Sequence, residues 1–290
     1  MKQQIQIENK ESVVLLGKEL VYRQEPYWCK GSFRSLTISL LRDRCRYDYD
    51  PPEHKQPVIV FLCGGSFTVM DPDVWMPEMT YFAKLGYAVA SVQYSVIGQT
   101  DYPNQIVEIR QAIRFLRAHA DELRLDPDRI AIMGESAGGH LAMMTALTAN
   151  RTEFDNGEYA EYSSAVNCAV LYYAPSGVFD EHPFPPENGF RKFNTYERLL
   201  REKEPWNNPE VFRTIDVREY VHPEAPPFML LYGTEDVLIP VWHGDAVYDA
   251  LTGAGVPTEY LVIEGGKHAS AEFFQPETKD LVVKFLEKYL

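Results

Sequence analysis

The spacing of apolar residues changes several times along the chain, and each change predicts an element. Residues 35–41 (Ser-Leu-Thr-Ile-Ser-Leu-Leu) alternate and include β-branched side chains, the pattern of a strand. Residues 57–63, 168–173 and 228–232 are instead continuous apolar runs, and 87–93 is a mostly apolar one, as expected of strands covered on both faces. Shorter runs at 130–133 and 259–263 complete the predicted strands. Between them, Ile106, Ile109, Ile113 and Leu116 recur at helical spacing after Pro103, giving one long helix with a single apolar face. Helices are also predicted over 76–85, stopped by Gly86, and over 137–149, 241–251 and 278–289. The polar, Pro-rich stretch 48–56 and the tetrapeptide Asp126-Pro127-Asp128-Arg129 read as turns.

Strands that alternate with helices imply βαβ units: an α/β class with a mostly parallel central sheet, helices on both faces and an antiparallel start at the N-terminus. No repeat or low-complexity linker divides the chain, so residues 1–290 are expected to form one domain. Residues 175–227 break the rhythm. They hold Phe179, Phe184, Phe190, Phe193, Tyr196, Trp206 and Phe212 among prolines and charges, and are read as a small cap inserted over the sheet.

Charge and cysteines narrow the function. The 290 residues include 28 Lys+Arg and 42 Asp+Glu, a net charge of −14, which argues against a nucleic-acid partner because phosphates need a basic patch. The apolar runs fall well short of the ~20 residues of a membrane span, and residues 1–10 have no signal-peptide core. Cys29, Cys45, Cys63 and Cys168 form no CxxC pair, as expected of a reduced cytoplasmic protein, although the sequence permits a Cys29–Cys45 disulfide. No His/Cys/Asp cluster has zinc spacing, so neither a metal nor an organic cofactor is expected.

The sharpest chemical signal is Gly134-Glu135-Ser136-Ala137-Gly138, a G-x-S-x-G between a predicted strand and a predicted helix. Glycines there let a sharp turn lift the Ser136 hydroxyl above the sheet edge. A serine nucleophile needs a base, and the base needs an acid to hold its tautomer. His268 follows the last predicted strand, and Asp236 follows the strand at 228–232, which gives the chain order Ser, Asp, His. Glu235 is the competing acid. His140, one turn beyond Ser136, is expected to pack beneath the turn, and His243 to have a surface or packing role. His54, His119, His182 and His222 lie in loops or on a polar helix face. Backbone N–H groups of Gly64, Gly65 and Ala137 are the candidate oxyanion hole.

These residues resemble the α/β-hydrolase superfamily, in the esterase branch that includes hormone-sensitive-lipase-like carboxylesterases and feruloyl or acetylxylan esterases. The resemblance runs from about residue 57 to the C-terminus. It rests on Cys63-Gly-Gly-Ser66, Asp126-Pro-Asp-Arg-Ile130, Gly134-Glu-Ser-Ala-Gly-Gly-His140, Pro226-Pro-Phe228, Gly233-Thr-Glu-Asp236 and Gly266-Lys-His268. It implies an α/β-hydrolase fold, with Ser136 as nucleophile, His268 as base, Asp236 as acid and Gly64, Gly65 and Ala137 as oxyanion donors. Relatives usually carry His-Gly-Gly-Gly where this chain has Cys63-Gly64-Gly65-Ser66, and Tyr-Arg where it has Tyr94-Ser95, so a structural arginine is missing.

The resulting expectation is a serine esterase acting on a small-molecule ester with a short acyl group. Acetylated or feruloylated plant carbohydrates are implied by the resemblance alone. Ser66, Phe67, Trp75 and Glu135 are the candidate substrate-binding residues, with Phe67 and Trp75 expected at the pocket mouth. Cys63 is read as a small apolar filler. Amide cleavage by the same triad, as in a peptidase or an arylformamidase, and a non-catalytic binding protein on this fold are the alternatives. The oligomeric state is left open, with a homodimer allowed.

Overall fold

A computed structural model describes residues 1–8, 13–26, 31–44, 54–155, 157–177 and 195–290, apart from the side chain of Trp206. The N-terminal hairpin is β1 (Val14–Pro26) and β2 (Phe33–Asp43). There follow β3 (Gln56–Leu62), α1 (Met76–Lys84), β4 (Ala88–Val92), α2 (Asn104–Ala118) and the single turn α3 (Ala120–Leu123). Next come β5 (Leu125–Glu135), α4 (Ser136–Leu147) and β6 (Cys168–Tyr172). The short helices α5 (Thr195–Leu200) and α6 (Pro209–Arg213) precede β7 (Phe228–Gly233), α7 (Trp242–Gly253), β8 (Thr258–Ile263) and α8 (Pro276–Tyr289).

Among the described residues eight strands form one sheet in the order β1-β2-β4-β3-β5-β6-β7-β8. β1, β2 and β4 pair antiparallel, and every pairing from β4 to β8 is parallel. Alternate residues of β3 explain why its sequence is apolar throughout. Val58, Val60 and Leu62 enter one core with α2, α4 and α7, while Ile59, Phe61 and the adjoining Cys63 enter a second core with α1 and α8. Both faces of the central strands are therefore buried, and the C-terminal ends of β3, β5, β7 and β8 share one edge of the sheet.

Two elements differ from the sequence expectation. β1 escapes the alternation pattern because its pairing with β2 shifts register between Gly17 and Leu20 and again between Val21 and Arg23, with Glu19 at φ 60°. Asp126–Arg129 is not a separate turn but part of β5. The turn chemistry is real, since Asp126 accepts from the Asp128 N–H at 3.1 Å and the Arg129 guanidinium at 2.7 Å, yet it is absorbed into an irregularity of the β3–β5 ladder.

Of the expected cap, Phe179, Phe184, Phe190 and Phe193 lie outside the described residues, as do His182 and the Cys29–Cys45 pair. Within its described part, Tyr196 is buried and packs on Phe212, with ring centroids 6.0 Å apart. Ser95, the residue after Tyr94, is held from two sides. Ser95 donates its N–H to the buried Glu108 at 2.7 Å, and Arg34 of β2 reaches the Ser95 hydroxyl.

Candidate active site

β5 ends at Glu135 and α4 begins at Ser136, with no linking residue between strand and helix. The turn is tight enough to hold Ser136 at φ 51°, a left-handed conformation that costs a non-glycine residue on the order of 1 kcal/mol. A Cβ on Gly134 would lie 2.5 Å from the Gly138 carbonyl oxygen, and a Cβ on Gly64 would lie 2.8 Å from the Ser136 Cβ. Both glycines are there because neighbouring backbone occupies the space.

The loops after β7 and β8 are tied to each other. The Thr234 N–H donates to the Ile263 carbonyl, and the Glu235 N–H to the Gly266 carbonyl, both at 3.0 Å. This pairing brings Asp236 and His268 together across 32 residues. His268 Nδ1 lies 2.7 Å from Asp236 Oδ2, and His268 Nε2 lies 3.0 Å from Ser136 Oγ. A carboxylate only accepts, so Nδ1 carries the proton and Nε2 presents its lone pair to the serine hydroxyl. Asp236 Oδ1 takes the Leu238 and Ile239 N–H groups, each at 2.8 Å, which fixes the carboxylate. Glu235, the competing acid, points away: it is 59% exposed and sits 3.8 Å from Lys267.

Tyr173, just past the end of β6, packs against the His268 ring from the side. Its ring lies 4.8 Å from the His268 ring and 4.7 Å from Phe273. Nothing in the apolar run at 168–173 distinguishes this tyrosine from a core residue.

The Gly64 N–H does not face an open oxyanion site. It donates to Glu135 Oε1, which also accepts from Trp75 Nε1 at 3.1 Å. That corrects the expectation for Gly64: backbone direction, which composition does not encode, commits this donor to a side chain. Among the described residues no acceptor takes the Gly65 N–H or the Ala137 N–H, the latter lying in the first turn of α4, where helix geometry leaves it free. Glu135 is buried, and burial pushes its carboxyl above the usual range, while Gly64, Trp75 and His268 act in the opposite sense.

The other candidate binding residues separate. Ser66 and Trp75 are half-buried, whereas Phe67 is 1% exposed and packs edge-on against His140 at 5.8 Å. Phe67 is thus a core residue beneath the site and not part of the mouth; its φ of 59° turns the ring inward. His140 lies under the turn as expected, with Nδ1 2.9 Å from the Pro175 carbonyl oxygen. His243 is fully buried on Ser176 Oγ at 2.8 Å. A slot of about 330 Å³ opens beside the loop after β3, walled by Gly64, Gly65, Trp75 and Glu135 with Val69 and Val74 at its rim. A larger hollow of about 460 Å³ lies at the far end of α4, near Ala149 and His222; the Ser136, Asp236 and His268 side chains line neither cavity.

A serine, a histidine and a carboxylate in line at the C-terminal edge of a parallel sheet define the α/β-hydrolase class. The chain belongs to the BD-FAE family, whose model matches residues 48–251. It is 32% identical to Esterase LipQ of Mycobacterium tuberculosis (strain ATCC 25618 / H37Rv) over 222 residues, 75% of this chain and 51% of that protein. It is 25% identical to the isoprenylcysteine alpha-carbonyl methylesterase ICME of Arabidopsis thaliana over 73% of this chain and 50% of that one. The chain thus spans about half the length of these curated relatives. The esterase Est2 of Thermogutta terrifontis has a similar fold, with a TM-score of 0.72 and 24% identity over 97% of this chain and 93% of that chain.

Proposed function

We propose that this protein is a serine esterase for small carboxylic esters with short acyl groups. The observation that carries the reading is the unbroken line from Asp236 through His268 to Ser136, at 2.7 and 3.0 Å. Ser136 Oγ attacks the ester carbonyl as His268 Nε2 takes its proton, and Asp236 holds the imidazolium. The oxyanion forms beside the N–H groups of Gly65 and Ala137. Each such donor contributes about 3 kcal/mol of barrier stabilisation in comparable enzymes. The alcohol leaves with the proton from His268, and water, activated by the same base, releases the acid.

Acetyl or feruloyl groups on plant carbohydrates are the substrates we favour. The family match and the likeness to an acetyl ester-xyloside bifunctional hydrolase from Caldicellulosiruptor lactoaceticus support that choice; the latter has a TM-score of 0.74 and 21% identity over 93% of this chain and 95% of that chain. Residues 1–290 are taken as one hydrolase domain with a cap around 175–227. A cytoplasmic location is supported by Cys63 and Cys168, which are buried free thiols. Among the described residues no helix is long and apolar enough to cross a membrane.

The test is a panel of nitrophenyl esters, acetylated xylo-oligosaccharides and an aminoacyl amide, run with the wild type and Ser136→Ala. Ester turnover that disappears in Ser136→Ala is expected. Turnover of the amide alone, or ester turnover that survives the substitution, would overturn the proposal.

A further inference from the structure

Apart from the triad, the busiest polar group at the site is the carboxylate of Glu135. It is 5% exposed, and its Oε1 accepts from both the Gly64 N–H and the Trp75 indole N–H. Gly64 lets the carboxylate come this close, because a Cβ there would stand 2.6 Å from Glu135 Oε1. Trp75 in turn stacks on Phe274, with centroids 4.5 Å apart and planes 20° apart, and Phe274 stacks on Tyr172 at 5.8 Å. Phe274 ends the short turn Ala271–Phe274, which begins three residues beyond His268. One carboxylate, adjacent in sequence to the nucleophile, thus joins the strand-to-helix turn, the loop after β3 and, through Trp75, the loop that carries the base.

The loop after β3 is held by its carbonyls, Cys63 accepting from the Tyr94 hydroxyl at 2.6 Å and Gly65 from the Thr68 and Val69 N–H groups at 2.9 and 3.1 Å, while on its N–H side Gly64 is held by Glu135. Gly64 and Gly65 are adjacent glycines, and Gly65 sits at φ 129°, so the backbone gains no stiffness from side chains. A free N–H stabilises an oxyanion only if it is already aimed when charge develops. We propose that Glu135, acting with Trp75, is a positioning residue that clamps the loop after β3 and keeps the Gly65 N–H aimed at the oxyanion. The inference rests on the esterase reading for its kinetic consequence but not for the clamp itself. Burial of a carboxylate is costly, and the two N–H donors to Oε1 offset that cost only while the loop is in place.

The variants are Glu135→Ala, Glu135→Gln and Trp75→Phe, the last keeping the aromatic stack while deleting the indole N–H. Nitrophenyl acetate kinetics should show kcat lowered at least tenfold in Glu135→Ala and severalfold in Glu135→Gln and Trp75→Phe, with KM within about threefold of wild type, because the lost interaction acts in the transition state. Hydrogen exchange of the peptide covering residues 63–70, read by mass spectrometry, should speed up in all three. If Glu135→Ala does not fold, Trp75→Phe carries the test alone. A rise in KM at constant kcat would make Glu135 a substrate contact and end the proposal, as would unchanged kcat with unchanged exchange. Wild-type protein that hydrolyses no ester would defeat the esterase reading, and the exchange data would then decide the clamp. Ester hydrolysis lost in Ser136→Ala but retained in the Glu135 and Trp75 variants would defeat the clamp and leave the esterase reading standing.

Discussion

At the scale of single residues, adjacent positions have opposite environments. Asp236 is buried and bonded to His268 and two backbone N–H groups, while Glu235 is exposed beside Lys267. Asp236→Asn is therefore expected to lower kcat on the order of 10²-fold or more, since it removes the acceptor that sets the tautomer. Glu235→Gln should stay within about twofold, as surface charge changes usually do. Steady-state ester hydrolysis distinguishes them, and the reverse ranking would reassign the acid. Cys63 gives a second case. Its thiol donates to the Asp71 carbonyl at 3.1 Å, and burial pushes its pKa up to about 12, so almost no thiolate forms at neutral pH. Native protein should leave Cys63 unalkylated by iodoacetamide at pH 8, and Cys63→Ser should keep most of the activity. Rapid alkylation with parallel loss of turnover would make Cys63 a nucleophile instead of a filler. Ser136, Asp236 and His268 were legible in the sequence because each follows a strand that the apolar pattern marks. The commitment of the Gly64 N–H to Glu135 was not, because a donor's direction is set by backbone dihedrals that two glycines leave unspecified.

At the scale of elements, α4 shows how a sequence pattern becomes a constraint on pH. All of its residues are buried, so it is apolar all round apart from His140 and two hydroxyl-bearing side chains. Among the described residues His140 has no charged partner; its Nδ1 faces the Pro175 carbonyl, and burial drives its pKa down from the usual 6.5 to about 4. Between those two values the unfolded chain binds a proton that the folded one refuses, so stability is full above pH 6.5 and falls as pH drops toward 4. The loss attributable to this residue is about 3 kcal/mol. Buried Glu108 and Glu135, whose carboxyls are pushed up, act in the opposite direction: their contribution is present at low pH and fades as they ionise. A comparison with His140→Gln isolates the histidine. Urea unfolding at pH 7 and pH 4.5 should show the wild type losing clearly more stability than the variant, and parallel losses would remove His140 from the account. The central strands β3, β4, β6 and β7 were legible because both faces are buried and their runs are almost wholly apolar, Ser91 being the polar residue within β4. β1 was not, since its register shifts at Gly17 and Val21 break the period of two.

At the scale of the whole molecule, the site is an assembly of five strand ends from one sheet edge. Its chemistry therefore depends on the parallel order β3-β5-β6-β7-β8, which brings together loops far apart in sequence. The order of catalytic candidates along the chain was enough to infer that convergence, but the shape of the pocket was not, because shape depends on which aromatic rings turn inward. Phe67 turns into the core and leaves Trp75 as the half-buried ring beside the opening, held by Phe274 and Glu135. Trp75 is thus pinned from two sides and cannot swing away without losing a hydrogen bond and a stacked face, together on the order of 1–3 kcal/mol. The neighbouring slot of about 330 Å³ is at the small end of ligand sites. Neither Ser136 nor His268 lines the slot, so selection against a ten-carbon chain is assigned to the pinned Trp75 ring and not to the slot's volume. Acetyl and propionyl nitrophenyl esters should therefore be cleaved at least about tenfold faster than decanoyl esters in kcat/KM, equivalent to roughly 1.4 kcal/mol of barrier. Trp75→Ala should narrow that ratio by improving the long-chain substrate relative to the short one, even as overall turnover falls with the loss of the Glu135 contact. Decanoyl esters cleaved by the wild type as fast as acetyl esters, or a ratio untouched by Trp75→Ala, would place the acyl group elsewhere on the molecule.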